Sequence, residues 1–471
     1  MKMEAIKRHP LWIAALLIGI VKSMEFAIDS QAIFYFDSPA FILNALKIGF
    51  IPYRSYVYGI LIRLVAVPFH SLPMLVAVQT LMGGITAWLL AFLLVRFLRV
   101  RAGIAVFAAL AFAIDPVQVI HEHLVMTETA AMLAMAVYLV VALEYLRRSS
   151  DGWVAWFWLI ILSILGVLLV SLRTVYLPPV LTVAFLLPIS ANLWAPARAS
   201  RLLPLTLALT ISLGSALLLQ RAYWQFTEPN PRQSNWAGFF LLANASPLVE
   251  PRDSPDERVA AAIVAQSRSR LPLVADLRTN QVWEPDGLGA RIRKLFGDDD
   301  RKADAVAKQL AVAAIRRNPV GYLRLGIHNY LNYWRGIPQL PQTLRSENGL
   351  QHPEAITAGA AQMIASAFWE DVSDQASWLT ASRRYHIAAR VWCVFLLASP
   401  FLLGPALLVR PANRKFVALL LAWDCLLLIS TCLGGDESAY RYLHPFSFTG
   451  LAAAAIVCDL LVHRTNKPSS P

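Results

Sequence analysis

Apolar residues fall along this chain in blocks of roughly 18 to 25, each closed by a short polar turn, and a helix rising about 1.5 Å per residue needs that length to cross about 30 Å of hydrocarbon. The pattern predicts ten membrane-spanning helices, at 10–28, 72–96, 102–120, 124–146, 153–171, 175–190, 202–221, 386–409, 415–434 and 445–462. Between the seventh and eighth lies a polar segment, 222–385, in which apolar residues recur every three to four positions. That periodicity predicts amphipathic helices at 254–271 and 299–319. An aromatic-rich stretch at 318–338, carrying Arg324, His328 and Arg335, reads as a helix lying in the membrane interface. The expected organisation is thus an N-terminal block 1–221 with a first loop at 29–71, the polar segment 222–385, and a C-terminal block 386–471.

Composition agrees with this patterning. Of 471 residues, 57% are hydrophobic and 15% charged, far from the balance of a soluble globular domain. The formal charge of +12 needs no nucleic-acid partner, because it collects in alternate turns: "RFLRVR" (96–101), Arg147 and Arg148, "APARASR" (195–201), "RPANRK" (410–415) and both ends of the chain. By the positive-inside rule those turns are cytoplasmic, which places both termini inside and the first loop and the polar segment on the outer face. The expected location is a plasma membrane, such as a bacterial inner membrane. The first span carries Lys22 and Glu25 and lacks a small-residue cleavage site, so it reads as an anchor, with those two side chains paired three apart on one helix face. The four cysteines, Cys393, Cys425, Cys432 and Cys458, all lie in the C-terminal block and offer no metal or disulfide framework.

Candidate chemistry gathers on the outer face. In "FDSPAFILNALKIGFIPYRSYVYGIL" (36–61) Asp37 follows the first span directly, and Lys47, Tyr53, Arg54 and later Arg63 punctuate a pattern too broken to span. Such a segment lies along the interface, at the depth of lipid phosphates. Asp37 has two readings here: an N-cap for the helix opened by Pro39, or a carboxylate set at the membrane surface for chemistry. Glu128 closes the loop "DPVQVIHEHLVMTE" (115–128), where it either pairs with His121, His123 or an arginine or serves as a second functional acid. Arg173 and Arg441 sit at outer mouths of spans, against the prevailing charge bias, so each pairs with Glu128 or Glu437 or binds phosphate through two parallel hydrogen bonds. "HEH" (121–123) is a poor metal site by itself, and "DDD" (298–300) could attract a divalent cation but reads more simply as a solvated turn. "NAS" (244–246) matches a glycosylation sequon.

In order and spacing these features resemble the GT-C class of integral membrane glycosyltransferases, the superfamily of dolichyl-phosphate-mannose mannosyltransferases and aminoarabinose transferases. An acidic residue in the first outer loop, a small-residue "A…G" helix and a tyrosine- and proline-rich turn are matched by Asp37, Ala45, Gly49 and "IPYRSY", with Phe41 where tyrosine is more usual. Glu128 matches the second acid, "SLRTVYLPPV" (171–180) the arginine corner, and Arg441, Tyr442 and Pro445 the "RY..P" entry to a late span.

The resemblance implies an all-α GT-C-like fold and a sugar donor linked to polyprenyl phosphate. It implies transfer to a hydroxyl of a glycan, lipid or protein, with Asp37 as general base and Glu128 beside it. Arg173, Arg441, Tyr442, Lys47, Arg54, Tyr53, Arg63, His121 and His123 would bind substrate. No cofactor is implied, and the use of a divalent cation is left open between presence and absence. The alternatives are a polyprenyl-linked glycan polymerase or ligase, which would lean on "RYHIAAR" (384–390) or "GIHNYLNYWR" (326–335), and a flippase for lipid-linked sugars, which would carry charges at mid-membrane.

Overall fold

A computed structural model describes residues 2–34, 37–46, 54–149, 153–193, 202–227, 234–254, 256–297, 299–335, 358–369, 395–407, 413–435 and 440–465. These residues are helical apart from turns, extended connectors and one isolated parallel bridge between Ile33 and Leu124. In chain order the N-terminal block holds α1 (Lys2–Ile28), α2 (Ser38–Leu46), α3 (Tyr56–Val65), α4 (Leu72–Arg96), α5 (Ala102–Ala113), α6 (Pro116–His123), α7 (Glu128–Arg148), α8 (Trp153–Leu172), α9 (Leu177–Leu193) and α10 (Leu202–Thr227). The polar segment holds α11 (Ala237–Ala245), α12 (Glu257–Ser267), α13 (Asn280–Trp283), α14 (Leu288–Phe296), α15 (Asp300–Arg317), α16 (Pro319–Trp334) and α17 (Ala358–Phe368). The last block holds α18 (Phe395–Leu407), α19 (Arg414–Gly434) and α20 (Phe446–Thr465).

Six of the described helices are long and apolar enough to cross a bilayer, and seven if the bent pair α5 and α6 counts as one span. They are compatible with an integral membrane protein. Three shorter apolar helices, Leu207–Tyr223, Phe395–Leu407 and Phe446–Val462, coincide with the remaining predicted spans.

The third predicted span, 102–120, is not straight: it breaks at Ile114 and Asp115 with a bend of 47°. Pro116 causes the break, since it lacks an N–H and pushes the preceding residue out of the helical region. Asp115 then caps the new helix, its Oδ1 accepting from Val117 N at 2.9 Å. The short outer-face loop read from the sequence at 115–128 is built around the helix α6 and is buried, with His121, Glu122 and His123 each 1% exposed or less.

The centre of the bundle is α7, with 78% of its apolar window buried, and its edge is α1, with 17%. Alanines make the close approach around α7: Ala131, Ala134, Ala136 and Ala142 are buried against α4, α8 and their neighbours. Small side chains let helix backbones pack tightly where burial from water supplies no driving force.

The polar segment has its own core, in which Phe239 and Leu242 of α11 meet Ile263, Ile292 and Leu310 of α12, α14 and α15. Asp304 of α15 caps α11, accepting from Phe239 N at 2.9 Å and from Ser234 Oγ at 2.7 Å. Gly238 makes this approach possible, because a Cβ there would lie 2.0 Å from the Asp304 carbonyl oxygen. Both amphipathic helices predicted here are observed as α12 and α15.

The acidic turn is used structurally: Asp299 caps α15, accepting from Lys302 N at 3.0 Å, and Asp300 pairs with Arg293 at 2.9 Å. Asp298 lies outside the described residues. The sequon asparagine is 3% exposed and donates to Gly434 O at 2.8 Å, so Asn244 is no accessible acceptor for a glycan.

The polar segment also closes the end of α19. A helix leaves its last carbonyls without intrahelical donors. Here Asn329 Nδ2 donates to the carbonyls of Cys432 and Gly435 at 2.9 and 2.8 Å, Tyr322 Oη to Leu433 at 2.7 Å, and Asn244 to Gly434. The helix α16 that brings Asn329 and Tyr322 turns Val320, Leu323, Ile327 and Leu331 outward as an exposed apolar stripe.

Candidate functional site

After α1 ends, the chain runs beside the α6–α7 connection, with Ile33 N donating to His123 O at 2.8 Å and Val125 N donating to Ile33 O at 2.9 Å. This pairing delivers Asp37 to the end of the bundle where Glu128 begins α7. The Asp37 carbonyl accepts from Ala40 N at 3.1 Å and so starts α2. Its carboxylate, however, faces two arginines: Oδ1 receives Arg54 and Oδ2 lies 3.5 Å from Arg441 Nη1. The helix-capping role falls to backbone, and the side chain is committed to charge.

Each guanidinium is in turn placed by an aromatic ring. Arg54, fixed next to the Ser55 cap of α3, lies 5.4 Å from the ring centre of Trp283 in α13. Arg441 and Arg173 both lie 5.3 Å from the ring centre of Tyr442, a distance at which the ring quadrupole attracts a cation. Arg173 stands in an extended corner between α8 and a 3-10 turn, and its Nη1 donates to Glu128 Oε1 at 2.8 Å.

Asp37, Arg54, Glu128, Arg173, Arg441 and Tyr442 therefore form one cluster drawn from four parts of the chain. Among the described residues it holds three guanidiniums and two carboxylates, a surplus of one positive charge. The ion-paired alternative read from sequence is realised for Glu128 with Arg173; Glu437 lies outside the described residues.

The cluster is not closed chemically. Glu128 is 2% exposed, yet its Oε2 has no hydrogen-bond partner among the described residues. The same holds for both ring nitrogens of His121, which is within electrostatic reach of Arg173 and Arg441. Buried polar atoms without partners are uncommon and call for an explanation.

Behind the cluster runs a buried polar chain that the sequence did not reveal. His121 packs against His444 with ring centres 4.4 Å apart, and His444 Nε2 lies 2.8 Å from Gln118 Oε1. Gln118 Nε2 donates to Glu122 Oε1 at 2.7 Å, and Glu122 takes Lys22 at 2.8 Å. The predicted Lys22–Glu25 pair is present at 2.8 Å, but it is half of a triad. The charge of Glu122 was visible inside "HEH"; its lysine partner, a hundred residues away, was not.

Other predicted residues sit elsewhere. His123 is tied to the Val119 and Asp29 carbonyls, at 2.8 and 3.2 Å, and serves the loop rather than the arginine cluster. Arg63 is exposed in the last turn of α3. Lys47 and Tyr53 lie outside the described residues, as does "RYHIAAR". No group of three metal-ligating side chains occurs among the described residues. Trp283, which flanks Arg54, was missed because a lone tryptophan in a polar segment carries no signal of its partner.

No known protein family, curated protein or solved structure matches the chain. The cluster must be read from its chemistry. Planar guanidiniums converging beside a carboxylate, partly open to their surroundings, suit a phosphate group, since arginine offers paired donors to phosphate oxygens.

Proposed function

We propose that the chain is a membrane glycosyltransferase, of a bacterial plasma membrane, that moves a sugar from a polyprenyl-phosphate donor to an acceptor hydroxyl. The observation that carries this reading is the Asp37 carboxylate held between Arg54 and Arg441, in a cluster with more guanidinium than carboxylate charge. It takes the three shorter apolar helices as spans, which with the seven brings the number to ten, both ends on one side. The cluster then lies at the outer face and the polar segment roofs it.

In this mechanism the donor's phosphate exchanges for Asp37 on one or both arginines, and the carboxylate released becomes free to accept a proton. The acceptor oxygen attacks the anomeric carbon while the bond from that carbon to phosphate breaks. Its electron pair stays on the phosphate oxygen, and the hydroxyl proton passes to Asp37. The hydroxyl grows acidic as its oxygen bonds to carbon, so a carboxylate is an adequate base at that moment. Arg441, Arg54 and Arg173 stabilise the charge that grows on the leaving phosphate. Attack opposite the phosphate gives inversion.

The flippase alternative draws on the buried Lys22–Glu122 pair, a charged pair inside a span region. Both readings are tested by incubating the reconstituted protein with a panel of polyprenyl-phosphate sugars and a mixed pool of membrane-lipid, glycan and envelope-protein acceptors, and measuring release of free polyprenyl phosphate together with sugar incorporated into acceptor. Release by the native chain, lowered at least about a hundredfold in Asp37→Asn and preserved in Arg63→Gln, supports transfer. Translocation of the intact donor without release supports the flippase.

A further inference from the structure

The angle at which α16 meets α19 gives its exposed apolar stripe a use. Tyr322 and Asn329 lie seven residues apart on α16, about 10 Å along its axis. Both bond to α19 within 432–435, about 4.5 Å of that helix. Gly326, between them, fits against the same turn, where a Cβ would lie 2.4 Å from Leu433 Cδ2. A helix running alongside α19 would move down it as fast as along itself. Instead, α16 lies across the end of α19.

Because α19 is one of the six helices able to cross a bilayer, its last turn lies at a bilayer boundary, and α16 lies there with it. One turn deeper on the face of α19 that carries Leu433, Ile429 is exposed, so no protein fills the flank beneath the crossing at that point. The side of α16 turned away from α19 exposes Val320, Leu323, Ile327 and Leu331, with Trp334 at the end of the row.

Charge along that stripe has one sign. At about 100° per residue, Arg324, His328 and Arg335 fall along one flank of it, and α16 carries no acidic residue. His328 is taken by Asp276 at 2.9 Å. Arg324 and Arg335 are exposed; Arg335 donates to Asn332 at 3.1 Å, and among the described residues no carboxylate pairs with either arginine. An apolar row with cations along one edge and a tryptophan at its end suits a helix lying in the interface, its cations at the depth of lipid phosphates. A second copy docked stripe to stripe would instead bring arginines together with no acid on α16 to answer them.

We infer that α16 seats the polar segment on the membrane by binding anionic phospholipid, its apolar stripe among the acyl chains and Arg324 and Arg335 at the headgroups. The same helix reaches toward the arginine cluster: Asn329 accepts from Arg278, which leads into α13, and Trp283 of α13 flanks Arg54. Lipid binding by α16 does not depend on the proposed transfer reaction and is measured without it.

The test places a photoreactive side chain on the stripe, as Ile327→p-benzoylphenylalanine in the full chain. The protein is held in nanodiscs of equal phosphatidylcholine and phosphatidylglycerol with identical acyl chains, irradiated, and its crosslinked peptides read by mass spectrometry. Lipid adducts should form at 327, with phosphatidylglycerol ahead of phosphatidylcholine by at least about threefold. The same probe at Leu16, exposed on α1 at the edge of the bundle, should give the two lipids in about equal amounts. Adding Arg324→Gln/Arg335→Gln to the 327 probe should keep the adducts and bring their ratio to about one. Absence of lipid adducts at 327, a crosslink there to a second copy, equal enrichment at Leu16, or a ratio unmoved by loss of the two arginines would overturn the assignment.

Discussion

Arg441 Nη1 and Asp37 Oδ2 lie 3.5 Å apart across 404 residues of chain, and this contact joins the first loop to the last block. Arg441 is held from its other side by Tyr442, whose ring it shares with Arg173. Lysine reproduces the charge of Arg441 but neither the planar paired donors nor the stacking on the ring. Arg441→Lys should therefore raise the KM for the polyprenyl-phosphate donor by about tenfold, one to two lost hydrogen bonds to a charged group, at unchanged protein yield. Steady-state kinetics with detergent-solubilised donor check this.

Gly83 is the point where α4 admits the buried charge of α6. A Cβ there would lie 1.7 Å from Glu122 Oε1 and 2.8 Å from Gln118 Nε2. Gly83→Ala should drive Glu122 off Lys22 and destabilise the bundle by about 3–5 kcal/mol, the cost of separating a buried pair. The double variant Gly83→Ala/Glu122→Ala removes the clash with Glu122, leaving only the movable end of Gln118 to shift, and leaves Lys22 with Glu25, so it should recover part of the loss. Thermal unfolding in detergent measures both.

Asn329 holds the polar segment to the end of α19 by donating to the Cys432 and Gly435 carbonyls and accepting from Arg278. Asn329→Leu removes the donor while keeping the bulk, and each buried carbonyl left unpaired costs about 1–3 kcal/mol. The variant should show faster hydrogen exchange in 430–435 and in α16, with α7 unaffected. Equal protection in both proteins would show that the clamp contributes nothing.

The helices were legible in the sequence because membrane spans and amphipathic faces are written in local periodicity. Asp37, Arg54, Arg173, Glu128, Arg441 and Tyr442 were legible as outliers, charges and aromatics at span mouths, and the fold brings them together. Their pairing was not, since Arg54 and Arg441 reach Asp37 from opposite directions and nothing near either one specifies it. Burial of 115–128 was hidden for a related reason: nothing near His121, Glu122 and His123 shows that Lys22, a hundred residues away, faces Glu122. The Lys22 triad depends on how α1 lies against α4 and α6, which no single helix encodes.

The polar segment should lose stability in acid through Asp253. Burial alone would raise this carboxyl, but hydrogen bonds from Arg317 and from the Glu250 N–H outweigh it and hold Asp253 below the usual carboxylate range. A depressed folded value means the unfolded chain binds the proton more readily. The stabilisation is full above the unfolded value of about 4 and fades as pH falls through the folded value. The unfolding free energy of the native protein should be level from pH 7 to 5 and fall below about pH 4, and Asp253→Asn should be less stable at neutral pH and flatter in acid.

Binding and transfer separate most directly in native mass spectrometry of the purified protein with polyprenyl phosphate. The native chain should retain one polyprenyl phosphate, and Asp37→Asn, which removes the anion competing for the arginines, should retain it at least as well while failing to transfer sugar. Arg54→Ala/Arg441→Ala should lose it at least tenfold, with polyprenol as the uncharged control binding equally to all three. Retention of polyprenyl phosphate by the double arginine variant at the native level would contradict the account.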